Sequence, residues 1–234
     1  MRYLGGKHGI AKEISKIITL NREGRDILEP FCGACWATSE MVKLNPDAKV
    51  YASDFLPDLV MMWQELQKGW LPPTEVSEEE FKRLKIEEPS ALRAFAGFAC
   101  SFAGMFYASY ARDKTAHNYA LSGYNSLVKI RESLKNVNYS CQSYDEWKPE
   151  NKIIYCDPPY ENTAGYKGTP KFDHVHFWEV MREWSKTNTV LVSSYKAPED
   201  FKVVWQKEKR LSVGMNNEKT LRMEYIFSLN EIKI

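Results

Sequence analysis

The chain has no apolar run long enough to cross a bilayer and almost no net charge, with 32 lysines and arginines against 31 acids. It has no Gly-x-x-x-x-Gly-Lys-Ser/Thr loop, and no second CxxC to partner Cys32 and Cys35. Each absence narrows the function. A membrane-spanning role is excluded at the level of helices. A charge of +1 gives no global pull toward nucleic acid, so any such signal has to be local. Without the phosphate loop, ATP hydrolysis is disfavoured. A lone CxxC among five cysteines reads as two small residues in a turn, and the odd count predicts reduced thiols and a cytoplasmic setting. His174 and His176 have no evident third ligand, so no metal is expected. The N-terminal MRYLGGKHGIAKEI is polar and glycine-rich, unlike a secretion signal. Repeats and low-complexity tracts are missing too. What remains is 234 residues, 44% hydrophobic and 13% aromatic, enough for one well-packed domain or one domain with an insertion.

The order of elements gives the fold class. Apolar spacing predicts a helix over Gly9–Leu20, a strand over Asp26–Glu29, then a turn opening into a helix through PFCGACWATSEMVKL. A strand at Lys49–Ala52 and a helix at Phe55–Lys68 follow. Strand, turn, helix and strand in that order imply an α/β fold with a parallel sheet. Gly69-Trp70-Leu71-Pro72-Pro73 breaks the pattern. Helices are expected at Glu78–Lys85, Ala91–Phe106 and about Ser126–Lys135, with no strand between them. Strands return at Asn138–Gln142, Ile153–Cys156, Thr189–Ser194, Val203–Trp205 and Glu224–Leu229, with a helix at Val175–Ser185. Residues 1–69 and 137–234 thus read as an α/β domain, and residues 70–136 as a helical insertion.

Two stretches carry chemistry. In Phe31-Cys32-Gly33-Ala34-Cys35, small residues after the first strand let backbone approach a ligand, and the next helix offers free N–H groups. Asp54 follows the second strand, 23 residues after Phe31, close to the ~20 expected for an acid that meets ribose hydroxyls. Together they suggest an adenosine-containing ligand. The second stretch, NKIIYCDPPYENT, drives a buried strand into an acid, two prolines and a tyrosine. Neither proline can extend the ladder. The Asp157 carboxylate and the Pro158 carbonyl are then two acceptors for the exocyclic amine of a nucleobase, and they localise a lone pair otherwise delocalised into the ring. Tyr160 can stack on that base, which reaches such a pocket only by leaving the duplex. The carbon donor has to be strongly activated, and a sulfonium methyl meets that need without a metal.

On these residues the sequence resembles the Dam-like DNA adenine-N6 methyltransferases, whose signature is Asp/Asn/Ser-Pro-Pro-aromatic. Tyr3-Leu4-Gly5-Gly6-Lys7 is similar to the family's N-terminal aromatic-x-Gly-Gly-Lys segment, which closes over S-adenosylmethionine. Glu29-Pro30-Phe31-Cys32-Gly33 is similar to its EPFxG motif, and Asp54 stands at its ribose-acid position. The resemblance implies a Rossmann-like S-adenosylmethionine-dependent fold, a cofactor site at Tyr3, Lys7, Phe31, Gly33, Asp54 and Asp157, a catalytic set of Asp157, Pro158 and Tyr160, and a target-recognition role for the insertion. SFAGMFYASYAR at Ser101–Arg112 is similar to a segment of phage-borne members; Val192–Ser194 and Arg222–Phe227 match later strand motifs more loosely. One departure is Cys35, where the family's FxGxG has a second glycine. A cysteine prefers φ < 0 and needs room, so weaker cofactor affinity is expected.

The insertion carries the local charge that the whole chain lacks. From Tyr107 to Lys135 there are five basic residues against two acids, net +3, interleaved with tyrosines and asparagines. Tyr107, Tyr110, Arg112, Lys114 and Asn118 are the expected contacts to double-stranded DNA, with Arg112 reading base edges and Lys114 meeting phosphate. The acidic stretch Glu75–Glu88 is expected to face away from DNA. Cytosine-N4 methylation uses the same amine chemistry, although serine is commoner than Asp157 there. A catalytically weak DNA-binding regulator is a reading from another class, against which Lys7, Asp54, Asp157 and Tyr160 stand intact.

Overall fold

A computed structural model describes residues 1–112, 117–161, 172–212 and 219–234. Its strands are β1 (Asp26–Glu29), β2 (Val50–Asp54), β3 (Asn138–Cys141), β4 (Lys152–Cys156), β5 (Thr189–Ser194), β6 (Lys202–Ser212) and β7 (Lys219–Ser228). They form one sheet in the order β3-β2-β1-β4-β5-β7-β6. The first five are parallel; β7 runs antiparallel to β5 and to β6. The chain winds outward from β1 to β3 and then returns to β4. The order therefore reverses between β1 and β4, and their carboxyl ends form the crevice where doubly wound sheets bind ligands.

Alternation along the central strands splits their side chains between two cores. Ile27, Ile153, Tyr155, Leu191 and Ile226 face one side; Leu28, Ile154, Cys156, Val190, Val192 and Phe227 face the other. Both faces are covered, which is why these strands read as unbroken apolar runs. Helices α1 (Ala11–Asn21), α2 (Trp36–Leu44) and α3 (Pro57–Lys68) lie on the first face, and α7 (His174–Trp184) on the second. The α3 helix stops at Gly69, whose φ of 107° is the left-handed cap that glycine supplies without strain.

The insertion contains α4 (Glu78–Leu84), α5 (Ala91–Ala99) and α6 (Tyr119–Leu134). Ser77, Ser90 and Asn118 cap them by accepting from the N–H of Glu80, Arg93 and Leu121. Phe81, Phe95, Phe98, Leu127 and Ile130 of these helices belong to the same core as Ile27 and Trp63. The insertion is packed into the first face, with no separate core of its own.

Three boundaries differ from the sequence expectation. The α5 helix ends at Ala99, short of Phe106: the chain turns through Ala103, Gly104 and Tyr107, all at positive φ, and folds Phe106 and Tyr107 back onto the helix. An added Cβ on Gly97 would sit 2.5 Å from the Phe106 ring, so the apolar spacing past Ala99 reflects tertiary packing, not continued helix. The α6 helix starts at Tyr119, ahead of Ser126. Its glycine- and serine-rich first turns look like a loop, yet Gly123 is what lets α6 approach Ala99 and Phe95 (a Cβ there would lie 2.8 Å from the Ala99 Cβ). Finally, β6 and β7 run beyond their expected apolar segments as a two-stranded ribbon. Only Tyr225–Phe227 of β7 pair with β5.

Candidate functional site

Three chain segments meet at the carboxyl ends of β1, β2 and β4. The first is the turn after β1. Gly33 has φ 44° and Cys35, the residue before α2, has φ 53°. The cysteine thus adopts the left-handed backbone expected of glycine, against its own preference, and its fully buried side chain is accommodated with Sγ 3.5 Å from the Tyr139 hydroxyl. The turn is held from below by Trp63, whose indole N–H donates to the Gly33 carbonyl at 3.0 Å. The Tyr3 ring covers it from above, so closely that a Cβ on Gly33 would meet it at 3.0 Å. The hydrogen bond to Cys35, with burial, holds the Cys32 thiol well above its ordinary range, which suits packing and not redox chemistry.

The second segment is the end of β2. Asp54 is 7% exposed, and its carboxylate accepts from the Gly33 N–H and the Leu56 N–H, each at 3.0 Å. Burial lifts this carboxyl to about 6, against the pull of those backbone donors. The Asp54 side chain thereby fastens the β2 end to the β1 turn. Phe31, the turn's aromatic, packs on Tyr144 (5.2 Å between centroids) and Phe177 (5.9 Å), on the second face of the sheet.

The third is the end of β4. Lys7, 6% exposed, places its ammonium 2.8 Å from an Asp157 oxygen and 3.0 Å from a Glu224 oxygen. The Tyr160 hydroxyl donates to Glu224 at 2.8 Å, its ring lies 4.7 Å from the Lys7 nitrogen, and Tyr195 meets it edge-on at 4.6 Å. Burial alone would pull the Lys7 ammonium down, but Asp157 and Glu224 outweigh it and hold it above its ordinary range. Burial raises Asp157, and Lys7 opposes that rise. The proton stays on Lys7. Pro158 is buried, and a cleft of about 420 Å³ is lined by Glu161, His174, Trp178 and Lys196 among others, without residues of the Lys7 cluster in its wall.

The structure thus brings Tyr3, Lys7, Phe31, Gly33, Asp54, Asp157, Pro158 and Tyr160 to one end of the sheet. It adds two acids that the motifs did not single out. Glu29 is 2% exposed and accepts from the Thr38 hydroxyl at 2.5 Å. Glu224 lies on β7, 64 positions from Tyr160, and no local spacing points to it. Burial lifts Glu29 to about 8 from an ordinary 4.5, opposed by Thr38 and reinforced by Asp157 and Asp54. An acid raised on folding stabilises fully below its unfolded pKa and loses that contribution as pH climbs through the folded one. Without cofactor, stability should therefore fall between about pH 4.5 and pH 8 on account of Glu29. Urea midpoints for the parent and Glu29→Gln across that window check this; the variant should lose that part of the slope.

The expected DNA contacts fare differently. Tyr107 is 6% exposed and donates its hydroxyl to the Arg93 carbonyl at 3.0 Å, so it is a packing residue in this structure. The Tyr110 hydroxyl donates to the Val76 carbonyl at 2.7 Å. Asn118 is exposed, but its side chain caps α6 and donates to the Thr74 carbonyl. Arg112 is exposed at 69% of its side chain and pairs with Glu78 of the acidic α4. Lys114 lies outside the described residues. His176 sits on α7, 3.2 Å from Asp145. Among the described residues no group of three or more His, Cys, Asp or Glu is placed to hold a metal, and no helix is long and apolar enough to cross a membrane.

Comparison with known proteins gives a family over nearly the whole chain: residues 3–93 and 97–218 match the D12 class N6 adenine-specific DNA methyltransferases. Two curated relatives, DNA adenine methylases from two Vibrio cholerae strains, are 24% identical over 185 residues, covering 68% of this chain and 64% of theirs. Among solved structures, an rRNA methyltransferase from Streptomyces viridochromogenes is similar at 13% identity and TM-score 0.43, over 95% of this chain and 84% of that one. A magnesium protoporphyrin IX methyltransferase from Synechocystis, solved with bound SAM, gives 7% identity and TM-score 0.41, over 94% and 77%.

Proposed function

The chain belongs to the D12 class N6 adenine-specific DNA methyltransferases, and from that premise we propose that it transfers a methyl group from S-adenosylmethionine to the N6 amine of an adenine in double-stranded DNA. The observation that carries this is the Lys7–Asp157–Glu224–Tyr160 cluster, set at the strand-order reversal beside the glycine turn.

The residues present fit the cofactor. Asp157 and Glu224 are two acids on one buried ammonium, and Asp54 closes the neighbouring glycine turn. That excess of negative charge suits a ligand carrying both a sulfonium and an ammonium group. Tyr3, Lys7, Phe31, Gly33, Asp54 and Asp157 would hold it. Each Asp54 oxygen accepts one backbone N–H and keeps a second lone pair for a ribose hydroxyl. When bound, the cofactor supplies an electrophilic methyl group on sulfur. The chain supplies the rest: Asp157 and the Pro158 carbonyl accept hydrogen bonds from the target amine and sharpen its lone pair. The Tyr160 ring captures the extrahelical base, and the buried pocket excludes water.

Expression in a methylation-free host followed by modification-sensitive sequencing tests this reading. The expected result is N6-methyladenine in a fixed sequence context; N4-methylcytosine or unmodified DNA would overturn it. The proposal places the enzyme in the cytoplasm of a bacterial or phage-infected cell, where DNA and cofactor meet.

Residues 70–136 are the proposed target-recognition part. Arg112 is its best candidate for base readout, since it is exposed and its partner among the described residues is Glu78, in a surface ion pair. Arg112→Ala should relax specificity at one position at a cost of ~1–3 kcal/mol. Lys114→Ala should weaken all sequences alike and flatten the salt dependence by about one unit of slope. Methylation of a substrate library at several salt concentrations separates the two; an unchanged sequence preference in Arg112→Ala moves the reader elsewhere in the insertion.

A further inference from the structure

We propose that Glu224 is a positioning residue of the transfer site: it receives the Lys7 ammonium when Asp157 turns to the target amine, and it anchors the Tyr160 hydroxyl so that the ring stays in place to hold the base. This rests on the activity proposed above and deepens it.

The need for such a residue follows from the geometry. Asp157 cannot give its full accepting capacity to an incoming amine while an ammonium sits 2.8 Å away. Lys7 cannot simply leave, because it is 6% exposed and a buried cation without a partner is costly. A second carboxylate at 3.0 Å resolves the conflict: the ammonium moves its weight from one acid to the other and remains paired throughout. Glu224 is itself 2% exposed, and among the described residues its carboxylate meets Lys7 and Tyr160, both in the site. Its position on β7, next to the short stretch that pairs with β5, ties both partners to the sheet. No bond is made or broken in this exchange.

Among the described residues, the groups that interact with Asp157 are Lys7, Glu224, Tyr160, Tyr155, Cys156 and Glu29. Glu224 raises Asp157 by like charge and raises Lys7 by opposite charge. Glu224→Gln keeps an acceptor for the Tyr160 hydroxyl and removes only the charge. It should lower kcat about tenfold or more with little change in the DNA KM, since the ammonium is then confined to Asp157. The acid limb of the pH–rate profile should move to lower pH. Glu224→Asp should recover part of the rate. A purely structural role would lower thermal stability and leave the limb in place.

Two further measurements keep the outcomes apart. The Lys7 ε-carbon resonance, followed by NMR against pH, reads the shared ammonium without turnover: Glu224→Gln should shift its titration downward. In a double-mutant cycle with Tyr160→Phe, read by a fluorescent adenine analogue at the target position, Glu224→Ala should be non-additive. Parent enzyme that leaves adenine unmethylated sinks the activity reading, while the Lys7 titration still judges the pairing. Active parent enzyme with an unmoved Lys7 titration and an unmoved acid limb in Glu224→Gln sinks this proposal alone.

Discussion

Asp157→Ala should lose methyl transfer by about 10²–10³-fold or more, the scale seen when a group aimed at developing charge is removed. In the mechanism proposed above the carboxylate acts on the amine in the transition state, so its loss falls on the rate. Lys7 keeps Glu224 as a counter-ion in this variant, so the cluster is not left with an unpaired cation. Cofactor affinity should accordingly change much less than turnover. Single-turnover transfer of a labelled methyl group, set beside calorimetric binding of the cofactor, distinguishes the two quantities. Near-normal turnover would remove Asp157 from the chemistry, whatever the binding data show.

Lys7→Met should have the largest effect on stability. It leaves a partly buried Asp157 and a buried Glu224 with no cation between them. Breaking a buried pair by removing one partner costs about 3–5 kcal/mol, because the remaining charge is uncompensated. The pH dependence of the loss has a definite sign. Burial already raises Asp157, and removing Lys7 raises it further. An acid raised on folding is best tolerated where it is protonated, so the variant should be closest to the parent in acid and fall away as pH rises. Chemical denaturation at about pH 5 and about pH 8 tests this; a deficit of the same size at both pH values would show that the pair does not carry the effect.

Much of the site was legible because its motifs sit at strand ends, where local sequence and position in the fold coincide. Asp54 and Asp157 follow apolar runs directly, and a parallel sheet brings such ends together whatever lies between them. Glu224 was not legible in this way. It comes from an antiparallel strand that reaches the site from the far side of β5, and an acid amid strand residues carries no local mark. Glu29 lies inside a recognised motif, but its burial and its bond to Thr38 are tertiary facts. Within residues 70–136 the helices lie near their expected places but differ in detail. The tyrosines that suggested a DNA surface spend their hydroxyls on the Arg93 and Val76 carbonyls. Gly123, which precedes the helix expected from about Ser126, is a helix contact. In each case composition showed what a side chain is able to do, and packing decided what it does.

The N-terminal segment that brings Lys7 to Asp157 is seated on the insertion. The Leu4 N–H donates to the Gly104 carbonyl at 3.2 Å, the Tyr3 and Phe98 rings lie 4.9 Å apart, and the Arg2 guanidinium lies 4.3 Å from the Tyr119 ring centroid. A Cβ on Gly104 would come within 2.7 Å of the Tyr3 backbone nitrogen. For protein engineering, this means that residues 70–136 are not a cassette. A chimera that takes this segment from a relative removes the seat of the segment carrying Lys7 along with the proposed reading surface. Grafts of that segment should stay active only when residues 1–6 travel with it. Exchange of target specificity within this architecture is therefore expected to proceed by substitutions on an inherited insertion, with its contacts to the N-terminus kept.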